Sequence, residues 1–182
     1  MFDWKIDNNI QLELLEPSHA KELFRLTDEN REYLAEWLPW VDSVQQPEDT
    51  VQFIEQSQKQ WFKNQGFQAA IIVDGSIAGT IGHHEIDWQN YKTSLGYWLG
   101  ESYQGRGIMT KCCDAIVRHA FDELDLNRVE IHCAIDNQKS RAVPERLGFI
   151  KEAIQKEAIQ LNGQFKDQVV FRALSSEWKK EA

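Results

Sequence analysis

The segment Tyr103-Gln104-Gly105-Arg106-Gly107-Ile108-Met109-Thr110 decides how the fold of this chain is interpreted. It joins a predicted strand at 91–99 to the strongest predicted helix, and its glycines let the backbone curl so that several N–H groups point at one spot. The first N–H groups of a helix lack intrahelical partners, and the helix dipole adds partial positive charge there. The segment is therefore either an anion site that suits a pyrophosphate or a turn without a ligand.

A helix with one continuous apolar face follows this segment. Apolar residues recur there at the i, i+3, i+4 spacing of an amphipathic helix. They are Met109, Cys112, Cys113, Ile116, Val117, Ala120, Phe121 and Leu124. Residues 129–135 then predict another strand. The order strand, loop, helix, strand predicts a parallel crossover unit, because parallel strands need a connection long enough to hold a helix.

Farther from this segment, the sequence predicts the strands and helices of an α+β (α/β) fold. Ile10–Leu15 alternates as a strand does, and Pro17-Ser18 opens a helix with Ser18 as its expected N-cap. Pro47 suits the first turn of a further helix. Asp74-Gly75 and Asn162-Gly163 predict the turns of two β-hairpins.

The composition predicts one domain over residues 1–182 with no membrane span. Apolar residues make up 42% of the chain, enough for a sizeable core. The apolar stretches are far shorter than the ~20 residues that span a bilayer, and the N-terminus does not resemble a signal peptide. The three cysteines are an odd number, which favours free thiols. We therefore expect a cytoplasmic protein.

The acidic charge limits the expected partners. Lys and Arg number 20 against 29 Asp and Glu, which gives a formal charge of −9. A field of this sign repels nucleic acid and attracts cations. We therefore expect no direct binding of DNA or RNA, and basic peptides or polyamines become candidate partners. The same charge also serves solubility alone, so both interpretations stay open.

The glycine segment resembles the phosphate-binding signature of GNAT acetyltransferases. Gln104-x-x-Gly107 matches the (Gln/Arg)-x-x-Gly-x-(Gly/Ala) pattern with which that family holds the pyrophosphate of acetyl-CoA. The last position departs from the pattern, since Met109 stands where the family has a small residue. The family contact there is made by a backbone N–H, so a side chain directed into the core is compatible with it.

The resemblance covers nearly the whole chain in the right order. Residues 96–99 (Gly-Tyr-Trp-Leu) resemble the splayed strand whose backbone pairs with the pantetheine arm. Residues 136–140 and 145–149 resemble the Asn-x-x-Ser and Leu-Gly-Phe segment. Residues 37–40 and 161–167 are similar to the branch that acetylates ribosomal proteins. This likeness implies the GNAT fold, a central mixed, mostly antiparallel twisted sheet with a splayed parallel pair and flanking helices.

The resemblance implies acetyl-CoA as co-substrate and no metal. The implied acetyl-CoA contacts are Trp98, Leu99, Gly100, Gln104, Gly105, Arg106, Gly107, Ile108, Met109, Thr110 and Asn137. Asn137 is also the expected cap of a helix predicted at 140–147. Trp37 and Trp40 either line a substrate groove or belong to the core.

A serine is the expected proton donor to the departing thiolate. Many family members place a tyrosine where this chain has Pro144, so no phenol is expected there. The ribosomal-protein branch has a serine at the position of Ser140, which is the candidate catalytic residue. The alternative is a serine that only caps the helix start. Because Pro144 cannot donate to the Ser140 carbonyl, we expect this helix to be short or kinked.

The general base and the acceptor stay open at the level of sequence. The candidate bases lie on predicted strands, and none is favoured: His83, His84, Glu85, Glu130, His132 and Glu157. About a tenth of an α-amine is already neutral at pH 7, so a dedicated base is optional. The expected acceptor is the N-terminal α-amine of a ribosomal or other protein. The alternatives are a small amine, such as a polyamine or aminoglycoside, or a CoA-binding module without turnover. A homo-oligomer also stays open.

Overall fold

The computed structural model describes residues 3–178, which form one eight-stranded sheet with helices on both faces. The strands are β1 (Asp3–Lys5), β2 (Ile10–Leu14), β3 (Phe67–Val73), β4 (Ser76–His83), β5 (Lys92–Leu99), β6 (Arg128–Ala134), β7 (Ile150–Leu161) and β8 (Gln164–Leu174). The helices are α1 (Ala20–Glu29), α2 (Arg31–Ala35), α3 (Pro47–Phe62), α4 (Ile108–Asp122) and α5 (Gln138–Arg146), with short 3₁₀ turns at Pro17–His19, Pro39–Ser43 and Glu101–Tyr103. Within this part of the chain no helix has the length and apolar character needed to cross a membrane.

The sheet is antiparallel except at one pair of neighbouring strands. The strand order is β1-β2-β3-β4-β5-β6-β8-β7, and β5 and β6 run parallel. The chain passes from β5 to β6 through α4, which confirms the predicted crossover unit. The expected fold class, a mixed and mostly antiparallel sheet with one parallel pair and flanking helices, is therefore confirmed.

Two apolar layers hold the sheet. The predicted apolar face of α4 is buried on one side, whereas Leu124 lies beyond the end of the helix and is only partly buried. On the other side, Leu23 of α1 and Ile54 of α3 are buried in one cluster with Ala70 and Ile77 of the sheet. Each Leu or Ile side chain among them contributes about 1.5–3 kcal/mol when it is fully buried. The sheet is therefore fixed from both faces.

The N-terminal region departs from the sequence predictions in two places. Ser18 is not an N-cap, because the chain makes a 3₁₀ turn at Pro17–His19 that is capped by Glu16. The backbone N–H of Glu16 donates to Nδ1 of His19 at 3.1 Å. Strand β1 was not predicted at all, since a strand of three residues is too short to show an alternating pattern.

Three predicted features are confirmed, namely the start of α3, the two hairpin turns and the cap of α5, whereas the bounds of β2, β5, β6 and α5 differ from the predicted ones by one or two residues. Pro47 is the first residue of α3, and the two hairpins turn at Asp74-Gly75 and Asn162-Gly163. Asn137 caps α5, because its side-chain oxygen accepts a hydrogen bond from the backbone N–H of Ser140.

Strand β5 pairs with its two neighbours over different parts of its length, Leu95–Leu99 with β4 and Lys92–Leu95 with β6. Its pairing with β4 continues to Leu99, the last residue of the strand. Its pairing with β6 stops at Leu95 and Ile131, although β6 itself continues to Ala134. The two parallel strands therefore separate beyond this point and leave a gap in the sheet.

Candidate active site

A cavity of about 1770 Å³ occupies the gap between β5 and β6. Both edges of the gap line it, with Tyr97 and Trp98 on β5 and His132 and Cys133 on β6. The cavity also reaches the start of α4 and the residues that follow α2. Ordinary ligand pockets measure roughly 300–1,000 Å³, so this space is large enough for two substrates at once.

The glycine segment forms a turn that ends at the N-terminus of α4. Gly107 is the N-cap of that helix, with φ of +73°, in the left-handed region that favours glycine. A Cβ atom added at Gly107 would meet no atom within 4 Å, so this side of the turn faces open space. Three cationic side chains line the cavity nearby, those of Lys111, Lys139 and Arg146. Together with the free N–H groups of the helix start, they suit an anionic ligand.

The structure brings most of the expected acetyl-CoA contacts around this cavity. Those that line it are Trp98, Leu99, Gln104, Gly105, Gly107, Ile108, Met109, Thr110 and Asn137. Gly100 and Arg106 do not line it. The N–H of Gly100 donates to the carbonyl of Ala78 at 2.8 Å, and the guanidinium of Arg106 lies 3.6 Å from the carboxylate of Asp74. Met109 is 7% exposed, so its side chain is directed into the core.

Two cationic residues in this region were not singled out by the sequence. Lys139 donates from Nζ to the side-chain oxygen of Gln104 at 3.0 Å, while the amide nitrogen of Gln104 donates to the hydroxyl of Tyr33. Arg146 donates to Oγ1 of Thr110 at 2.8 Å. Both cations belong to α5, and they lie near the glycine segment only because the chain folds α5 against it. No local pattern in the sequence predicts this contact.

Ser140 lies in the first turn of α5, beside the end of β6. Because Asn137 caps this helix, the hydroxyl of Ser140 is left for other contacts. It lies 3.2 Å from Sγ of Cys133 and 3.4 Å from the hydroxyl of Tyr97. Burial raises the pKa of the Cys133 thiol, so this thiol is protonated at neutral pH. Three protic groups thus meet on one face of the gap.

A phenol is present beside Ser140, contrary to the sequence expectation. Pro144 lies within α5 as expected, but Tyr97 reaches Ser140 from β5. The Tyr97 hydroxyl donates to the Ser140 carbonyl at 3.0 Å, the carbonyl that Pro144 has no N–H to bond. Burial raises the pKa of Tyr97, so the phenol stays protonated. The expected short helix is confirmed, since α5 has nine residues.

The opposite face of the gap carries two histidines. His132 and Cys133 are consecutive on β6, so their side chains point to opposite faces of the sheet. Nε2 of His132 lies 2.6 Å from Oε2 of Glu130, and the His132 side chain lines the cavity. His84 lines the cavity too, with Nδ1 3.1 Å from the hydroxyl of Ser94. Desolvation, followed by charge repulsion from His132, lowers the pKa of His84.

The remaining candidate bases lie away from the cavity. His83 is fully buried on the α4 side of the sheet, with its ring centroid 6.1 Å from that of His119. Burial lowers the pKa of His83 to about 3. Glu85 and Glu157 are exposed and do not line the cavity. The structure therefore separates these three residues from the site.

Aromatic side chains form part of the cavity wall. Trp37 and Trp40 both line it, and neither belongs to the two buried core clusters of residues 3–178. Trp40 is 38% exposed, and its ring centroid lies 6.0 Å from that of Trp98 on β5. Both residues thus line the cavity and lie outside the core clusters, and their contact with a substrate stays a prediction.

Comparison with known proteins identifies the family. Residues 9–150 match the family model described as Acetyltransferase (GNAT) domain. The putative ribosomal N-acetyltransferase YdaF of Bacillus subtilis (strain 168) is 37% identical over 183 residues, covering 100% of this chain and 100% of that protein. The ribosomal-protein-serine acetyltransferase of Escherichia coli (strain K12) is 31% identical, covering 90% of this chain and 91% of that protein.

A solved structure agrees in fold over nearly its whole length. It is a ribosomal alpha-N-protein acetyltransferase in complex with coenzyme A, with a TM-score of 0.92 at 28% identity, covering 95% of this chain and 98% of that chain. The sheet with its splayed parallel pair, the glycine turn at α4 and these matches all agree. The chain therefore belongs to the GNAT family of acetyltransferases.

Proposed function

We propose that this acyltransferase acts as a single domain that moves an acetyl group from acetyl-CoA to the N-terminal α-amine of a protein, a ribosomal protein first among the candidates. One observation carries the proposal, the cavity in the gap between β5 and β6. It joins an anion-binding turn, a cluster of protic groups and an aromatic wall. Two relatives described as ribosomal-protein acetyltransferases support the choice of acceptor.

Acetyl-CoA fits the end of the cavity at α4. The N–H groups at the start of α4 and the side chains of Lys139 and Arg146 would bind its phosphates. The separated edge of β5, from Gly96 to Leu99, would pair through its backbone with the pantetheine arm. The coenzyme A complex of the related enzyme supports this choice of co-substrate.

The residues at the gap suit direct transfer. The acceptor nitrogen attacks the thioester carbon, the N–C bond forms, and the C–S bond then breaks with its electron pair moving to the CoA sulfur. A hydroxyl hydrogen bond from Ser140 would stabilise the departing thiolate. The tetrahedral oxyanion would be stabilised by backbone N–H groups at the separated edge of the sheet. Tyr97 and Cys133 stay protonated, so neither competes with the sulfur for a proton from Ser140.

The lining of the cavity favours an acceptor with one positive charge over a polyamine. Among the described residues that line it, Asp49 is the only carboxylate. Its Oδ2 atom already accepts hydrogen bonds from the backbone N–H groups of Gln45 and Gln46, at 2.8 and 3.0 Å. A polyamine brings several cations that need several carboxylates, whereas a protein N-terminus brings one. The acidic charge of the chain therefore lies largely outside the cavity.

The proposal is tested by measuring thiol release from acetyl-CoA at pH 7 with three kinds of acceptor. These are a peptide that begins with serine or alanine and contains an internal lysine, the same peptide with a blocked N-terminus, and spermidine. The neutral fraction of an α-amine at pH 7 exceeds that of a lysine side chain by a factor on the order of 100. We therefore expect kcat/KM to be on the order of 100-fold higher for the free N-terminus than for the blocked peptide.

The blocked peptide is the matched control, because it differs only at the α-amine. Equal rates with free and blocked peptides would reject the α-amine as acceptor. A higher kcat/KM with spermidine would reassign the enzyme to small amines. Mass spectrometry of ribosomal proteins from cells that lack this protein then identifies the acceptor, as the one whose N-terminal acetyl group disappears.

A further inference from the structure

The two faces of the gap carry complementary proton chemistry. Cys133 lies on the face of α5, with Sγ 3.2 Å from the Ser140 hydroxyl. His132 precedes it on β6, so its side chain points to the other face about 3.3 Å along the strand. His132 is also the first residue of β6 beyond the last β5–β6 pair, Leu95 with Ile131. An acetyl group held in the gap would have Ser140 on one side and His132 on the other.

The imidazole of His132 is oriented by a carboxylate. Its Nε2 atom lies 2.6 Å from Oε2 of Glu130, two residues earlier on the same face of β6. An ionised carboxylate only accepts hydrogen bonds, so the ring proton lies on Nε2. Nδ1 of His132 is then left with a lone pair on a ring that is 32% exposed and lines the cavity.

We propose that His132 accepts the proton of the acceptor amine through Nδ1 and that Glu130 is the residue that positions its ring. This assignment rests on the proposed transfer to an amine. The acceptor arrives as an ammonium and gives one proton to Nδ1, which leaves the neutral amine that attacks the thioester carbon. As the C–S bond breaks, the nitrogen gives its second proton to the Ser140 hydroxyl, and Ser140 passes its own proton to the CoA sulfur. The imidazolium then releases its proton to water.

The charged neighbours hold Glu130 in its ionised form. Nε of Arg128 lies 2.6 Å from Oε1 of Glu130, and the same guanidinium binds Glu152 of β7. Arg172 of β8 approaches Glu152 from the other side at 3.6 Å. Burial acts to raise the pKa of Glu130, but the hydrogen bonds from His132 and Arg128 outweigh it and lower this pKa. Glu130 does not itself line the cavity, so it acts through His132.

The other imidazole of the cavity is less suited to the same role. His84 bonds the hydroxyl of Ser94, which does not fix a ring proton as a carboxylate does. Its lowered pKa makes it a weaker base. A neutral His84 also avoids repelling an incoming ammonium. His84 is therefore part of the cavity wall, and His132 is the base.

The experiment compares His132→Gln, His132→Ala and Glu130→Gln with the wild-type enzyme, using whichever amine the wild type acetylates fastest. General-base effects are 10²–10⁴-fold, but part of an α-amine is already neutral at pH 7. We therefore expect both His132 variants to lower kcat on the order of 100-fold. We expect about tenfold for Glu130→Gln, where the ring remains but is no longer oriented. The dissociation constant of acetyl-CoA should stay within about twofold in all three, because no phosphate contact changes.

A second readout separates catalysis from structure. Imidazole added to the buffer should restore part of the kcat of His132→Ala, because it can enter the space that the side chain leaves. His19→Gln is the matched control, since Nε2 of His19 also faces a glutamate, Glu13, at 3.2 Å, but lies outside the cavity. We expect this control to keep the wild-type kcat.

The proposal is overturned if folded His132→Gln keeps kcat within about twofold of the wild type, or if imidazole does not rescue His132→Ala. If the proposed acceptor is wrong, the wild-type enzyme will show it by a higher kcat/KM for a different amine. The ratio of variant to wild type decides the role of His132 with any of those amines.

Discussion

Strand β5 has two neighbours, and its hydrogen-bonded pairing differs between them. Toward β4 it is hydrogen-bonded through five paired positions that end at Leu99. Toward β6 it is paired at four positions that end at Leu95, and the cavity begins there. One strand is thus fixed to the core along one edge while it offers its other edge to a ligand. The sheet therefore contains a cavity between two of its strands while its hydrophobic core stays closed.

The histidines on the two sides of β5 show the same difference. On the β4 side, His83 is fully buried among aromatic rings, and burial lowers its pKa to about 3. On the β6 side, His132 meets a carboxylate and lines the cavity. The chemistry available to an imidazole here depends on which edge of β5 it borders, because one edge excludes water and charge and the other admits them.

The largest expected effect comes from comparing two glycines, Gly79 of β4 and Gly96 of β5, where an added Cβ atom would meet different kinds of atom. A Cβ atom added at Gly79 of β4 would lie 2.0 Å from the carbonyl oxygen of Trp98, which is backbone and cannot move aside. We expect Gly79→Ala to lower the free energy of unfolding by about 3 kcal/mol or more, as overpacking in a core does. A Cβ atom at Gly96 would instead meet Nε2 of His84 at 2.1 Å, the end of a side chain that can rotate away.

Gly96→Ala is therefore the control, at the first residue of β5 beyond its last pair with β6. We expect it to lower the free energy of unfolding by less than about 1 kcal/mol, while the displaced His84 ring reduces activity. Urea unfolding and steady-state kinetics on both variants check this pair. Equal loss of stability in the two would show that β5 is held as tightly at the gap as it is toward β4.

The second effect concerns the α5 face of the gap. A thiol has a reference pKa of about 8.5, so its thiolate leaves tolerably well even without full proton transfer. We expect Ser140→Ala to lower kcat about 10–100-fold, at the low end of general-acid effects. Asn137 caps α5, so this variant should fold normally and keep its affinity for acetyl-CoA. These properties are measured by steady-state kinetics, circular dichroism and calorimetry.

Cys133→Ser is a useful companion, because it keeps a small protic group beside the Ser140 hydroxyl. We expect it to retain most of the wild-type kcat. A Ser140→Ala enzyme with kcat within about twofold of the wild type would leave the serine with a structural role only.

The smallest expected effect is a pH dependence from the closed side of β5. In the unfolded chain His83 binds a proton below pH ~6.5, whereas in the folded protein burial lowers its pKa to about 3. Stability from this residue is therefore present above pH ~6.5 and is lost as the pH falls toward 3, by about 1.4 kcal/mol per unit. This amounts to a loss of about 2 kcal/mol between pH 7 and pH 5.

His83→Leu removes the titrating group and puts an apolar side chain of similar size in its place. Urea unfolding at pH 7, 6 and 5 should give a shallower loss of stability for this variant than for the wild type. Parallel curves for the two proteins would mean that His83 takes up its proton in the folded state near the ordinary value.

The elements that are encoded by a local sequence pattern could be predicted from the sequence. The apolar face of α4 and the two hairpin turns are local patterns, and the structure confirms them. Strand β1 was missed because three residues show no period, and it exists because β2 offers an edge to pair with. Residue type alone favours Ser18 as the cap, whereas Glu16 takes that position because the chain turns two residues earlier.

The candidate site was predictable only where its residues follow one another in the chain. The glycine segment and the pair Asn137 and Ser140 belong to short motifs, so they could be recognised from the resemblance to the family. Tyr97 contacts Ser140 across a separation of 43 residues. No local pattern predicts that contact, because it depends on how far β5 and β6 have separated. The choice of His132 among six candidates likewise needed the register of β6, which sets the face to which each side chain points.

Pro144 couples α5 to the sheet. In an ordinary helix the residue at that position would bond the Ser140 carbonyl, and the first turn would be complete without outside help. Here the carbonyl accepts a hydrogen bond from the Tyr97 hydroxyl at 3.0 Å, so the backbone of α5 is tied to the part of β5 that is separated from β6. Any widening of the gap must stretch this tie or carry the serine along with it. The width of the gap and the orientation of the Ser140 hydroxyl therefore change together. Entry of the pantetheine arm of acetyl-CoA would alter both.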